Sequence, residues 1–594
     1  MIKKFIVGTL CSLGFSFLLL LIFLSIAIYK LMRPDFAEIT PKTVLELKLE
    51  HKLQDQPSSR EFPLRRTSSL SLRDLIDTLQ VASRDPHVEG LVVHLEGATF
   101  SGIAQIQELR NAIRAFRKSG KFAIAYNDNF GELSSGMGVY YFASAFDEIW
   151  VQPLGALNIT GLAAVQPFGR KLLDELGVFP DIETREEYKT AYDFAKEPTM
   201  TPANRQQTQE MLASFLRQMV TAIAQERELG ESAVLDAVNH APIFILEKAR
   251  QEGLIDKIAY KDELYRHLDE KVGEGVNFVE IHKYPFEKTL ASKKSDAKIA
   301  VVFASGMIVR GTQKSNPFFP SMTMDVEEIT NALDQARDDP TIKAIVFRVD
   351  SPGGSPLASD RLWHVLKKMR EETEKPVIVS MGDVAASGGY WITLPAHKIV
   401  ANPGTLTGSI GVILGKIASE KFWEKIGIRW DVVQTSPNAA IWSMIHPYTP
   451  EEKKWITGMT DYIYEVFIQK VSEGRRLPLN HVRQIAKGHV WTGEQALEWG
   501  LVDALGDLNA AIELAKSEAK LSDGEKEAAQ VIYLPKPASL LHHFSGLLRG
   551  NLAVSEAATQ ILSGLIPYLF DGIQSWIIAQ RKHMWVMSSP KVEH

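Results

Sequence analysis

The stretch Asp85-Pro86 followed by Glu89-Gly-Leu-Val-Val-His-Leu-Glu96 returns as Asp339-Pro340 followed by Lys343-Ala-Ile-Val-Phe-Arg-Val-Asp350, 254 positions later. Both are β-branched apolar runs of the length of a buried strand. On the C-terminal side of each, Ile106 to Lys118 and Asp360 to Glu371 carry apolar residues at helical spacing. Each leads through a Gly or Lys-Pro break into a second strand-like run, Phe122-Ala-Ile-Ala-Tyr126 and Val377-Ile-Val-Ser380. Further out, Glu148-Ile-Trp-Val-Gln-Pro153 matches Lys398-Ile-Val-Ala-Asn-Pro403 at an offset of 250. Thr201-Pro202 then matches Thr449-Pro450, and Gly253-Leu-Ile-Asp256 matches Gly500-Leu-Val-Asp503, at offsets of 248 and 247. Landmarks in one order at nearly one offset predict an internal duplication. Strand, helix, strand in each copy predicts βαβ units with parallel pairing, hence an α/β fold.

The composition fits that reading and excludes others. The chain has 594 residues, 45% hydrophobic and 23% charged, too apolar for a disordered polymer. With 66 basic against 72 acidic side chains the net charge is -6, which argues against nucleic acid as a partner. The single cysteine, Cys11, excludes intrachain disulfides, Cys-rich zinc modules and CxxC redox centres. Residues 5–29 form a 25-residue run without a charge, flanked by Lys3 and Lys4 and by Lys30 and Arg33. That is long enough to span a bilayer, whereas a cleaved signal peptide has a shorter apolar region, and Ile28-Tyr29-Lys30-Leu31 is a poor cleavage site. The expectation is an uncleaved single-pass anchor at 1–34. The flanking charge only weakly favours a cytoplasmic N-terminus, with the rest of the chain on the extracytoplasmic side. The first α/β repeat is then expected over 40–287 and the second over 299–534, joined by the Lys- and Ser-rich stretch 288–298. A tail over 535–594 contains the apolar run Ile561 to Ala579, broken by Pro567 and Asp571, and suited to a membrane surface or to ordinary packing.

Common catalytic signatures are missing: there is no HExxH, no GxSxG and no GxxxxGK[ST], and Gly411-Val-Ile-Leu-Gly415-Lys416 is one residue short of a phosphate loop. Three Gly-rich turns remain in the second repeat, each after a predicted strand, where α/β sheets place their ligands. Asp350-Ser-Pro-Gly-Gly-Ser355 offers paired glycines before a helix beginning near Leu357, an arrangement suited to presenting backbone N–H groups to an oxyanion. In Ala385-Ala-Ser-Gly-Gly-Tyr390, Ser387 reads either as a helix cap or as a nucleophile. In Pro403-Gly-Thr-Leu-Thr-Gly-Ser409-Ile-Gly411, glycines on both sides leave room at the Ser409 hydroxyl.

Taken together, SPGGS, AASGGYW and TGSIG, with the anchor and the duplication, resemble the signal peptide peptidase A (protease IV) family in its long duplicated bacterial form. The resemblance implies tandem ClpP/crotonase-like α/β domains and a serine endopeptidase without cofactor or metal, acting on apolar peptides left by secretion at the inner (cytoplasmic) membrane. It implies Ser409 as nucleophile and Gly354, Gly353 or a neighbouring amide as oxyanion donor. The first-half context Tyr188-Lys189-Thr190-Ala191 matches the family's lysine, which implies Lys189 as general base, with Ser387 and Tyr188 as secondary candidates. It also implies a homo-oligomer, a tetramer, in which one site draws on neighbouring subunits.

The duplication gives an independent expectation. Ser409 falls on Ile159 of the first repeat, Lys189 falls near Ala439 of the second, and Glu96-Gly-Ala-Thr stands where the second repeat has Asp350-Ser-Pro-Gly-Gly. Each repeat therefore keeps only part of one site. A lysine near its free pKa of about 10.4 is no base at neutral pH, and burial without a counter-charge is what brings it down. The carboxylates of Glu186 and Glu187 must accordingly point out of the site, and Thr435 and Ser436 offer hydroxyls to orient the lysine. Tyr390 and Trp391 read equally as pocket wall or as core. Two other classes share such a core: a crotonase-like acyl-CoA enzyme, for which Ser409 would be dispensable, and a non-catalytic membrane scaffold.

Overall fold

A computed structural model describes residues 36–50, 52–56, 71–285, 296–311 and 323–535. The apolar run at 5–29, nearly all of the tail and most of the 288–298 stretch lie outside these. Among the described residues no helix is long and apolar enough to cross a membrane.

In chain order, the first half holds β1 (Thr43–Lys48), β2 (Val88–His94), β3 (Phe122–Asn127), β4 (Glu148–Val151), β5 (Phe179–Arg185), β6 (Lys257–Ile258) and β7 (Asn277–Glu280). The second half holds β8 (Lys298–Ser305), β9 (Met307–Val309), β10 (Thr323–Asp325), β11 (Ile342–Ser351), β12 (Val377–Ala386) and β13 (Lys398–Ala401). It continues with β14 (Leu406–Gly408), β15 (Val412–Ala418), β16 (Val490–Thr492), β17 (Ala504–Leu505) and β18 (Gln530–Leu534). The first sheet is parallel throughout, in the order β6-β4-β3-β2-β1-β7. The second repeats that order as β17-β13-β12-β11-β8-β18, and the far end of β12 also carries β14 and, antiparallel to it, β16.

The expected duplication therefore holds strand by strand, and it extends to side chains. Asp256 accepts from the Ile149 N–H at 2.7 Å and pairs with Arg227 at 2.8 Å; Asp503 accepts from the Ile399 N–H and pairs with Arg475 at the same two distances. Tyr140 donates to the Leu254 carbonyl and Tyr390 to the Leu501 carbonyl, both at 2.8 Å. Thr201 and Thr449 cap the long helices Pro202–Glu226 and Pro450–Arg475, each accepting an N–H with Pro at the first turn. Each half closes over its own apolar cluster.

The halves are joined by charge as well as by packing. Arg348 of β11 is buried and reaches Glu108 on the first-half helix Ile103–Arg117 at 2.7 Å and Asp55 at 2.9 Å, and Asn402 completes Glu108 at 2.8 Å. They are also joined by backbone: β5 and β15 pair antiparallel, from Arg185 against Val412 to Phe179 against Ala418. That ribbon belongs to neither large sheet.

Candidate active site

Lys189 stands four residues past the Arg185 end of β5, and Ser409 three residues before the Val412 end of β15. Because the ribbon is antiparallel, those two ends meet. The lysine is 6% exposed. Its Nζ donates to the Ser409 carbonyl at 2.7 Å and lies 2.9 Å from Ser409 Oγ and 3.0 Å from Ser387 Oγ. All three contacts are made within one chain.

Ser387 is the single residue between the end of β12 at Ala386 and the short helix Gly388–Trp391. Although it occupies the N-cap position, its φ of +56° and ψ of -122° are not those of a capping residue, and its hydroxyl makes no capping hydrogen bond. The cap expected from the sequence is thus not formed. The left-handed backbone presents Oγ to Lys189 instead, a sparsely populated conformation of the kind held only where surrounding structure imposes it. Packed against it is the Ser351–Ser355 turn. Gly353 (φ +99°) leaves no room for a Cβ, which would sit 2.6 Å from Gly388 N and 2.9 Å from Ser387 Cβ. The turn is pinned by Ile308, whose N–H donates to the Gly353 carbonyl at 2.9 Å and whose carbonyl accepts from Ser355 N–H at 2.8 Å.

Of the two glycines expected at an oxyanion, Gly353 donates its N–H to Ser351 Oγ at 3.2 Å. Gly354 N–H has no partner among the described residues, and neither has Gly388 N–H, the first amide of its helix. The two amides are neighbours, since a Cβ on Gly388 would lie 3.3 Å from Gly354 N. Gly388 escaped the sequence reading, although the Gly pair after Ser387 was its signal. The Ser409 N–H is itself committed, donating to the His489 carbonyl at 2.7 Å, and nearby Gly488 N–H donates to the Ile410 carbonyl at 2.8 Å.

The remaining candidates are placed as follows. Tyr188 turns its ring onto His489, with centroids 4.5 Å apart, and donates its hydroxyl to Gln206 at 3.0 Å. Glu186 is exposed, and Glu187 pairs with Lys487 at 3.1 Å on the surface, so both carboxylates point outward as expected. The hydroxyls facing Lys189 are those of Ser387 and Ser409, while Thr435 and Ser436 are exposed. Ile159, the first-half counterpart of Ser409, is fully buried core. Tyr390 and Trp391 are also core, Trp391 packing on Phe467 with centroids 4.6 Å apart.

The profile of "Peptidase family S49" matches residues 115–274 and again 369–522, once in each half. The chain is similar to "Serine protease SPPA, chloroplastic" of Arabidopsis thaliana, 30% identical over 90% of this chain and 77% of that one. It is similar to "Protease 4" of Salmonella typhi, 33% identical over 76% of this chain and 72% of that one. Among solved structures it is similar to a mutant of the 1510-N membrane-bound stomatin-specific protease in complex with a substrate peptide, 18% identical over 43% of this chain and 99% of that one, with a TM-score of 0.26. With the family pattern present in both halves and relatives covered over most of their length, the chain belongs to peptidase family S49.

Proposed function

We propose that the protein is a serine endopeptidase in which Lys189 of the first half activates Ser387 of the second. The observation that carries this is Lys189 Nζ held between two serine hydroxyls, one of them beside a pair of unengaged amides. A neutral amine has two hydrogens and one lone pair. The Ser409 carbonyl can only accept, so it takes one hydrogen, and the second hydrogen and the lone pair are left for the two hydroxyls. The nucleophile is the hydroxyl that gives its proton to the lone pair with oxyanion donors close by. Gly354 and Gly388 stand at Ser387, whereas the amide of Ser409 is already bonded. Ser409, the serine favoured by the sequence, then accepts from Lys189 and holds it in place.

In that arrangement Ser387 Oγ attacks the scissile carbonyl as its proton passes to Lys189 Nζ, and the oxyanion forms against Gly354 and Gly388. Lys189 Nζ returns the proton to the leaving amine; it then deprotonates a water that attacks the acyl carbonyl, and gives that proton back to Ser387 Oγ as the ester bond breaks and the acid leaves. The substrates proposed are apolar peptides left at the membrane by secretion, with residues 5–29 anchoring the enzyme where such peptides partition and the catalytic part extracytoplasmic.

The repeat also supports a homo-oligomer. The counterparts of β15 and β5 are 162–168 and 429–435, both without a strand partner among the described residues and carrying exposed apolar side chains, among them Val165, Trp430 and Val433. Pairing them between copies would repeat the β5/β15 ribbon head to tail, which gives a ring where the rotation from copy to copy closes; a tetramer is the proposed closure.

The experiment is cleavage of a soluble apolar fluorogenic peptide by Ser387→Ala, Ser409→Ala and Lys189→Ala. Turnover falls to background in Ser387→Ala and Lys189→Ala, and is reduced but measurable in Ser409→Ala. Retained turnover in either of the first two contradicts the reading.

A further inference from the structure

Lys189 and the two serines come from different halves, so their spacing depends on what ties the halves together at that point. The ties converge on one face of the first-half helix Pro202–Glu226. Buried Gln207 donates through Nε2 to the Tyr188 carbonyl at 3.2 Å and to Thr190 Oγ1 at 2.6 Å, on either side of Lys189. Its Oε1 accepts from Val490 N–H of the second half at 3.4 Å. One turn later Glu210 Oε2 lies 3.2 Å from His489 Nε2, and a further turn on Ser214 Oγ meets Thr492 Oγ1 at 2.9 Å.

The segment those residues grip is wrapped around the lysine. The Lys487 carbonyl accepts the Tyr188 N–H at 3.1 Å, and the His489 carbonyl takes the Ser409 N–H. At Gly488, φ is +77° and a Cβ would lie 2.5 Å from Lys189 N. His489 is 5% exposed, its ring stacked on Trp491 with centroids 3.8 Å apart and tilted against Tyr188 with centroids 4.5 Å apart. Its Nδ1 lies 2.9 Å from the Val490 carbonyl while Nε2 faces Glu210, so both ring nitrogens face acceptors. Burial outweighs the Val490 carbonyl and the Glu210 carboxylate and holds the His489 imidazole below its ordinary pKa, so these contacts place the ring without requiring it to carry a charge.

We propose that Gln207, Glu210 and His489 are positioning residues, a clamp that sets the distance between the Lys189 turn and the serine turns. None of them touches the reacting atoms. They act through the backbone of 188–190 and 487–490, where a misplacement of about 1 Å costs on the order of 100-fold in rate. The inference rests on the reading of Lys189 as the base.

The test uses the full-length protein and steady-state cleavage of the soluble apolar peptide. Gln207→Ala and Glu210→Ala lower kcat about 10- to 100-fold with KM within about twofold of the parent, as misplaced catalytic groups do. Glu210→Gln stays within about threefold of the parent, because its amide N–H meets the lone pair of a neutral His489 Nε2. Thermal unfolding of each variant verifies the fold, and Glu210, which is partly exposed, is the variant that keeps the test informative should Gln207→Ala unfold. Unchanged kcat in Glu210→Ala, a rise in KM alone, or a Glu210→Gln variant as impaired as Glu210→Ala overturns the clamp. Lys189→Ala is measured alongside. Activity retained there overturns the base assignment itself, whereas an inactive Lys189→Ala beside a fully active Glu210→Ala overturns the clamp alone.

Discussion

Arg185 and Val412 face each other at the end of the antiparallel ribbon that joins the two halves. From that pair the first-half chain runs on to Lys189 and the second-half chain runs back to Ser409, and the two side chains meet at 2.9 Å. The register of one short ribbon thus assembles a site from residues 220 positions apart. The division is visible at the counterpart of Ser409 in the first half, where Ile159 is core.

Gly354→Ala displaces the amide proposed to hold the oxyanion. A Cβ there would lie 2.1 Å from the Ile308 carbonyl oxygen at a φ of +151°, so the turn must move. The expected outcome is a kcat lower by about 100- to 1000-fold, the loss typical of one oxyanion donor. Steady-state kinetics with the apolar peptide checks it, and a variant that turns over at the parent rate would exclude Gly354 from the oxyanion site.

Arg348→Met leaves Glu108 and Asp55 facing each other across the seam between the halves without their shared cation. Both contacts are short and Glu108 is buried with Arg348, so the loss is that of a broken buried pair, about 3–5 kcal/mol. Denaturant unfolding measures it. A midpoint unchanged from the parent would show that this network does not hold the halves together.

Asp383 predicts how stability depends on pH. Its Oδ1 accepts the Gln105 N–H at 3.0 Å near the start of the helix Ile103–Arg117. Burial first, and then the neighbouring Asp350 carboxylate, push the Asp383 pKa up to about 8. The fold therefore keeps a proton that the unfolded chain releases near pH 4, and this group costs stability progressively as pH rises from about 4 to about 8, with no further change above. Asp383→Asn keeps an acceptor for Gln105 and does not titrate. Its melting temperature relative to the parent should rise between pH 5 and pH 8; a difference that is flat or shrinks over that range contradicts the assignment.

Much of this was legible in the sequence, and the illegible parts have physical reasons. The duplicated sheets announced themselves because buried parallel strands such as Glu89–Glu96 and Lys343–Asp350 are continuous apolar runs. Lys189, Ser409 and Gly354 came from motifs. The sequence leaves Ser387 open between cap and nucleophile because a serine before a helix usually caps it, and nothing in Ala385–Tyr390 announces a φ of +56°. The ribbon escaped because Phe179-Pro-Asp-Ile-Glu-Thr-Arg185 has no continuous apolar pattern and finds its partner in the other repeat. Gln207 and His489 carry no signal at all, since their contacts join segments about 280 residues apart.

The central claim, that Lys189 activates Ser387, is tested most directly by covalent labelling of the intact enzyme with a peptidyl phosphonate, followed by mass mapping of the adduct. The account predicts the adduct on Ser387, and its loss in Lys189→Ala with the fold intact. An adduct on Ser409 with Ser387 unmodified, or labelling of Ser387 undiminished without Lys189, would contradict it.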